Sequence, residues 1–448
     1  MSDRRLAASL PLVVFAVVVL SVMVPLAGAS GPGADPGDSS PMQENGQDAV
    51  TTEVGDVAII IEFETDRARD SASFSALDVT VTGGRDVEFM PVLFARAPAG
   101  AIEDIERRAD VRAVYRDSTV SVPDTAVSPT GLNAQAAGQH LPWGVERIDA
   151  PAASEAVGAS ARESATVAVL DTGIDYTHGD LSTAVTWGAN FTYGGSETGL
   201  TTAMDDAGHG TAVAGVVSAV DDDGGVVGVS PGTELYAIKV MNGDGEGKYS
   251  WVINGTDAAL AGEDGDLGTA DDADVLSLSL GGKEGTSDLQ NVIDDASDHA
   301  VVVSAAGNYG DGDTSTNNVT YPAKYAGSIA VAMTDDTDRT PLDSSEGEEV
   351  ELAAPGVGVT TTQMNGGTTT VSGTSLAAPH VSGVAALVIA DDLSDGQRDL
   401  SPTDVRERLQ NATLDIESPG VDRTSGYGLI LADEAVGALD SVERVALP

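Results

Sequence analysis

Residues 372–383 read SGTSLAAPHVSG and place three serines and one histidine within twelve positions. A serine hydroxyl is a poor nucleophile at neutral pH and needs a general base within hydrogen-bond reach. His380 is the nearest imidazole. The apolar run over residues 381–390 predicts a buried helix opening near Ser375, with Gly373 as the turn before it and Pro379 confined to its first turn. At about 100° per residue, His380 then lies roughly 140° around the helix from Ser375. The base must come from another part of the chain.

Of the five histidines, His209 suits that task best. It stands in DDAGHGTAVAG, between two glycines at the start of a predicted helix, where backbone and substrate approach closely. His140 lies in a polar linker and reads as surface. His299 ends a helical stretch, where the helix dipole accounts for it. His178, in the loop DYTHGDL, stays open. An imidazole base also needs a carboxylate to hold its tautomer. Asp171 closes the apolar stretch of VAVLDTGID, although an aspartate there also serves as a turn or cap residue. For an oxyanion donor there is Asn308, at the end of VVVSAAGN. The order Asp, His, Ser separates this group from α/β-hydrolases, which run Ser, Asp, His, and from chymotrypsin-like enzymes, which run His, Asp, Ser.

Each of these residues falls at the tip of a predicted element. From residue 141 onward, SATVAVLDTG, TELYAIKVM, ADVLSLSLGG, AVVVSAAGN and SIAVAMT read as buried parallel strands. Helical stretches such as TAVAGVVSAV and SWVINGTDAALA alternate with them. The pattern predicts an α/β fold, a doubly wound, mostly parallel sheet flanked by helices over residues 141–448, with function beyond the strand C-termini. Upstream, residues 57–117 predict the order βαββαβ, a small ferredoxin-like α+β module. Two strands are expected around Gly83-Gly84 and a weak helix within residues 65–76. Residues 30–56 read as a flexible linker, and 118–140 as a linker with a processing site.

The 448 residues carry 71 acidic against 22 basic side chains, a net charge of −49. Such a charge excludes nucleic acid as a partner. At molar ionic strength the Debye length falls to about 3 Å, so the self-repulsion is screened; the composition predicts a fold and an activity that depend on high salt. Arg4-Arg5 precede LPLVVFAVVVLSVMVPLA, and Ala27-Gly28-Ala29 follows, so residues 1–29 read as an export signal, with the twin-arginine route open. A retained membrane anchor is the alternative. After cleavage no stable membrane association is expected, and the product would be extracellular. There is no cysteine, so packing, ions or metal must stabilise it.

VAVLDTGID, GHGTAVAG, SAAGN and SGTSLAAPHVSG together resemble the four signatures of the subtilisin-like serine proteases, and the chain is similar to that family's haloarchaeal secreted members. The resemblance implies an endopeptidase in which Ser375 is the nucleophile, His209 the general base, Asp171 its orienting carboxylate and Asn308 an oxyanion donor. It implies polypeptide substrates held as an added strand between Gly245, Gly247 and Tyr249 on one side and Ser279, Leu280 and Gly281 on the other. Thr320, where relatives often have glycine, would narrow the pocket for the residue before the scissile bond and favour medium apolar side chains. The 57–117 module is similar to the family's propeptide, an intramolecular inhibitor, and the mature enzyme is expected to be a monomer. A structural Ca²⁺ is implied at Gln139, Asp180, Val220, Asp222, Gly224 and Val226, oxygen ligands that suit that ion, although acidic loops are expected anywhere in such a chain. Residues 263–274 are similar to a second calcium loop or are simply solvated. A binding protein that kept the fold, or a serine esterase, are the other function classes.

Overall fold

In the computed structural model, which describes residues 55–437 apart from 84, 85, 88, 89, 124, 125, 128–137 and 195, the run VAIIIEF forms β1 (Asp56–Phe63). The export signal, nearly all of the linker 30–56 and residues 438–448 lie outside the described residues. Ile59, Ile61 and Phe63 face one small core and Ile60 a second, larger one, as a two-residue period requires. After β1 come α1 (Asp66–Asp70), β2 (Thr80–Gly83), β3 (Asp86–Val87), β4 (Met90–Pro98), α2 (Ile102–Glu106) and β5 (Val111–Arg116). The sheet order is β2-β4-β1-β5. Three strands rather than two form around Gly83, because β3 folds straight back onto β4, pairing Val87 with Met90. Within residues 118–140 two further strands appear, β6 (Thr119–Ser121) and β7 (Ala126–Val127), and both pair with strands much later in the chain.

The second part opens with α3 (Trp143–Arg147), α4 (Ala150–Val157), α5 (Ala159–Arg162), β8 (Thr166–Asp171), β9 (Val185–Asn190), β10 (Glu197–Thr198) and α6 (His209–Ser218). It continues through β11 (Glu234–Lys239), β12 (Glu246–Lys248), α7 (Tyr249–Leu260), β13 (Val275–Leu278), α8 (Ser287–Ala296), β14 (Val301–Ala305) and β15 (Ile329–Thr334). It ends with β16 (Val350–Pro355), β17 (Val359–Thr362), β18 (Thr368–Ser372), α9 (Thr374–Asp392), α10 (Pro402–Asn411), β19 (Thr413–Leu414), β20 (Leu429–Ile430) and α11 (Ala432–Ala435).

Ten strands make one sheet in the order β10-β9-β11-β8-β13-β14-β15-β16-β20-β19, antiparallel at its two edge pairs and parallel between them. Both faces of β8 are covered. Val167 and Val169 join a core with α6 and α9, while Ala168 and Leu170 join one with α7 and α8. This is why these strands read as unbroken apolar runs. α9 is long and apolar enough to cross a membrane, but its residues from Thr374 to Ala390 are buried inside the fold.

Candidate active site

The sheet changes direction at β8: β11 and β9 lie on one side, and β13 to β16 on the other. Loops leaving such a point diverge and open a crevice beyond the strand C-termini. Asp171, the last residue of β8, stands there and is 0% exposed.

His209 is the first residue of α6. Gly208 before it has φ +93°, a conformation that glycine adopts without strain. Gly210 after it has no room for a side chain, since a Cβ would lie 2.1 Å from the carbonyl oxygen of Gly173. This close approach brings the imidazole onto β8. Nδ1–H donates to both oxygens of Asp171, at 2.8 and 2.9 Å. Asp171 Oδ1 also accepts from Thr172 N–H at 2.7 Å. Burial disfavours the imidazolium, but the charge and hydrogen bond of Asp171, with the charge of Asp205 behind, outweigh it and raise the pKa above the ordinary histidine value. Nε2 is buried and has no hydrogen-bond partner among the described residues.

Ser375 is 0% exposed, and its Oγ is likewise buried without a partner among the described residues. Pro379 lies beyond the first turn of α9, as its sixth residue. Its ring removes the N–H that would bond the carbonyl of Ser375. Ser279 Oγ–H supplies the missing donor, at 2.8 Å. Asn308 follows β14. Its Oδ1 accepts from Thr374 N–H and from Thr374 Oγ–H, each at 2.9 Å, which sets the opposite, NH₂ side of the amide away from Thr374.

Beside these groups, β6 is held as an added strand between two backbone edges. It pairs with β12, Val120 opposite Gly247, and Val122 N–H donates to Gly245 at 3.0 Å. On its other side Ser121 and Gly281 exchange two hydrogen bonds, of 3.0 and 2.9 Å. Further on, Ala126 and Val127 in β7 pair with Ser372 and Val371 in β18, the strand that runs into Ser375. Gly245, Gly247 and Gly281 thus meet the strand through their backbones. Ser279 and Leu280 are buried beneath it, and Tyr249, the first residue of α7, is fully buried with its hydroxyl on the carbonyl of Glu284. Thr320 is 2% exposed and fills the space between Gly281 and Gly307.

Residues 162–428 match the Subtilase family. The chain belongs to that family. It is 40% identical over 254 residues to "Subtilisin" of Bacillus pumilus, covering 56% of this chain and 86% of that protein. Against "Subtilisin DY" of Bacillus licheniformis the identity is 39% over 300 residues, 66% of this chain and 99% of that protein. Against the "Major intracellular serine protease" of Bacillus subtilis (strain 168) it is 38% over 283 residues, 62% and 84% of the two chains. The chain spans 62% of the length of some of the curated relatives it matches, such as "Subtilisin E".

The other histidines of this subtilase are accounted for. His380 donates from Nδ1 to Leu376 O at 2.7 Å, and burial pushes its pKa down to about 4, so it is neutral and structural. His178 is fully engaged: Nε2–H donates to Gly367 O at 2.8 Å and Nδ1 accepts from Asp180 N–H at 3.1 Å. His140 is exposed, and His299 is exposed at the C-terminal end of α8. Asp205, Lys239 and Thr374 join the site only in the structure. Lys239 has a signal, a lysine ending the apolar run 235–238 of β11; it donates to Asp206 at 2.6 Å. Asp205 carries no such signal, being one acid among the 71 of the chain.

The six residues expected to hold calcium meet at one corner. Gln139 donates to Val220 O at 3.1 Å, and Val220 N–H to Asp180 O at 3.0 Å. Asp180 Oδ2 accepts Val226 N–H at 2.9 Å and lies so close to Gly225 that a Cβ there would be 1.9 Å from it. Asp222 Oδ1 accepts from Gly224 N–H at 2.8 Å. Among the described residues no group of three or more His, Cys, Asp or Glu could hold a metal. A cation at this corner would therefore rest on Asp180, Asp222 and carbonyl oxygens, a donor set that fits Ca²⁺. In the 263–274 loop, by contrast, Asp271 and Asp272 accept from the loop's own N–H groups at Glu263, Asp264, Gly268 and Thr269.

Proposed function

We propose that this subtilase is a secreted serine endopeptidase, made as a self-processed zymogen and adapted to high salt. One observation carries the reading. His209 is gripped on Nδ1 by both oxygens of Asp171, while its Nε2 and the Ser375 hydroxyl remain buried without partners, next to edges that already hold an extended strand.

Ser375 Oγ attacks the peptide carbonyl as His209 Nε2 takes its proton, and a tetrahedral intermediate forms. His209 then passes that proton to the amine as the C–N bond breaks, leaving an acyl-enzyme, which water hydrolyses with His209 again as the base and Ser375 regaining its proton. Asp171 fixes the tautomer and stabilises the imidazolium. Asn308 and the Ser375 N–H receive the oxyanion; loss of one such donor costs about 3–4 kcal/mol, a figure measured in subtilisin itself. Substrate backbone bonded by Gly245, Gly247 and Gly281 implies tolerance of many side chains, and Thr320 favours medium apolar residues before the scissile bond. The 57–117 module is the intramolecular inhibitor. Ca²⁺, when bound, would tie Gln139 and Asp180 to the loop of Val220, Asp222, Gly224 and Val226, a structural role outside the chemistry. Arg4-Arg5 and the apolar stretch after them support export, and the charge of −49 supports salt dependence.

Electrophoresis of wild type beside Ser375→Ala in about 3–4 M salt, where exposed charges are screened, tests the reading. Wild type should lose its N-terminal segment and Ser375→Ala should stay near full length. Equal sizes would overturn the zymogen.

A further inference from the structure

Behind the Asp171–His209 pair lies a second carboxylate. Asp205 is 4% exposed. Its Oδ1 accepts from Thr172 Oγ–H at 2.8 Å, Ala207 N–H at 3.0 Å and Gly208 N–H at 2.8 Å. Its Oδ2 accepts from Thr211 N–H at 3.0 Å and Thr211 Oγ–H at 2.5 Å. Thr172 Oγ in turn accepts from Gly210 N–H at 2.9 Å. One carboxylate therefore binds the residue after Asp171 and the backbone on both sides of His209.

The arrangement answers a local problem. The first turn of a helix has N–H groups without intrahelical partners. The N-cap of α6 is Gly208, which has no side chain to receive them. Placing His209 at the helix N-terminus also disfavours its protonated form, because that end carries a partial positive charge. A buried anion at the same end satisfies the donors and opposes the dipole.

We propose that Asp205 is a positioning residue, which locks the first turn of α6 against the tip of β8 and keeps His209 basic enough to accept the Ser375 proton. The proposal rests on His209 being the general base. The charged groups around the imidazole are Asp171 from β8, Asp205 itself, and Asp206 paired with Lys239 of β11, whose ammonium also donates to Thr172 O. The facing turn of α9 brings Ser375; His380, on another side of that helix, lies against Gly144 and is neutral. Asp206 is neutralised by its lysine at 2.6 Å, which leaves Asp205 as the second uncompensated anion.

The test is the pH profile of kcat/KM for the mature enzyme in molar salt on an uncharged peptide substrate. Active sites are counted by titration with a fluorophosphonate, so that misfolded molecules drop out. Asp205→Asn should lower kcat by roughly 10- to 100-fold with KM nearly unchanged, the size of effect expected from small misplacement. Its acid limb should move to lower pH. Thr172→Val keeps the charge and breaks the bridge to Gly210; it should lower kcat and leave the limb in place. An unchanged limb and an unchanged kcat per titrated site in Asp205→Asn would overturn the proposal. Should that variant fail to fold, a Thr172→Val enzyme with wild-type kcat overturns it, and one with lowered kcat supports it. His209→Ala is run in parallel. If it stays active, the general-base reading itself fails; if it is inactive while Asp205→Asn behaves as wild type, only the role of Asp205 falls.

Discussion

Ser279 Oγ–H donates to the carbonyl of Ser375 at 2.8 Å, in the place of the N–H that Pro379 lacks. The bond ties Ser375, the proposed nucleophile, to the loop after β13, which also supplies Gly281 to the strand edge. Ser279→Ala would leave that buried carbonyl without a donor. The expected loss is about 1–3 kcal/mol of stability. Denaturant unfolding in high salt, with Ser375→Ala as the shared background, measures it. In the active enzyme kcat should fall more than KM rises, since the helix start is loosened while the proposed substrate edges at Gly245, Gly247 and Gly281 are untouched.

The titration of His209 gives a second expectation. Burial alone would depress its pKa, yet the Asp171 charge and hydrogen bond, helped by Asp205, raise it. A general base must be neutral, so kcat/KM should fall as pH drops through a value above the ordinary histidine pKa of about 6.5. Asp171→Asn removes the main raising contributions and leaves burial. Its acid limb should therefore move to lower pH, and the rate should fall by about 10⁴-fold, as in the corresponding change in a serine protease of another fold. A limb that stays in place would mean that another group controls the profile.

Asp171, His209, Asn308 and Ser375 are legible in the sequence because each stands at the tip of an apolar element within two residues of a glycine, a local pattern. The residues around them are legible only in part. His178 stays open in the sequence, because its partner Gly367 lies 189 positions away. β6 is three residues long and pairs with Glu246–Lys248 and Gly281, so nothing in TVS itself distinguishes it from linker. Tyr249 is adjacent to the edge strand in sequence but begins α7, which turns its ring into the core. Pro379 reads as a first-turn residue until Ser279 is seen to compensate for it.

In the proposed self-processing, the path of β6 and β7 brackets the bond that is cut. Val122 is still bonded to Gly245, and Ala126 is already paired with Ser372. With Ser375 as the proposed nucleophile, the bond expected to be cut lies between these two anchors. Mass spectrometry of the mature protein should find an N-terminus at Pro123, Asp124, Thr125 or Ala126. A start after residue 127 would require the chain to shift along β18 before cleavage, or a second cut.

Chelation tests the calcium corner. A ligand that binds only the folded state stabilises it by about 2.7 kcal/mol at 100 times its Kd. The Tm of Ser375→Ala should rise with added Ca²⁺ and fall with a calcium chelator, at constant high salt. Asp180→Asn, which weakens the one buried carboxylate of the set, should lower Tm without chelator and respond little to Ca²⁺. An identical calcium response in the two proteins would place the ion elsewhere.

Arg406 and Glu351 join α10 to β16, and the pair offers a stability test independent of the active site. The guanidinium donates to the Glu351 carboxylate through Nε at 2.8 Å and through a second nitrogen, and to Ala326 O at 2.8 Å. Gln410 adds a further bond to Glu351 at 2.8 Å. The glutamate side chain is 9% exposed, and the arginine 27%. A pair so little exposed is screened less than surface charges, so it should persist in molar salt. Arg406→Met would strand a nearly buried carboxylate, at a cost of about 3 kcal/mol. Adding Glu351→Leu removes the stranded charge and should recover most of that loss, because an apolar pair replaces an ion pair at little net cost. Unfolding of the single and double variants in 3–4 M salt, again with Ser375→Ala, decides it: a double variant as unstable as Arg406→Met would mean that the bonds from the arginine to Ala326 O and Ser328 O, and not the ion pair, hold α10 in place.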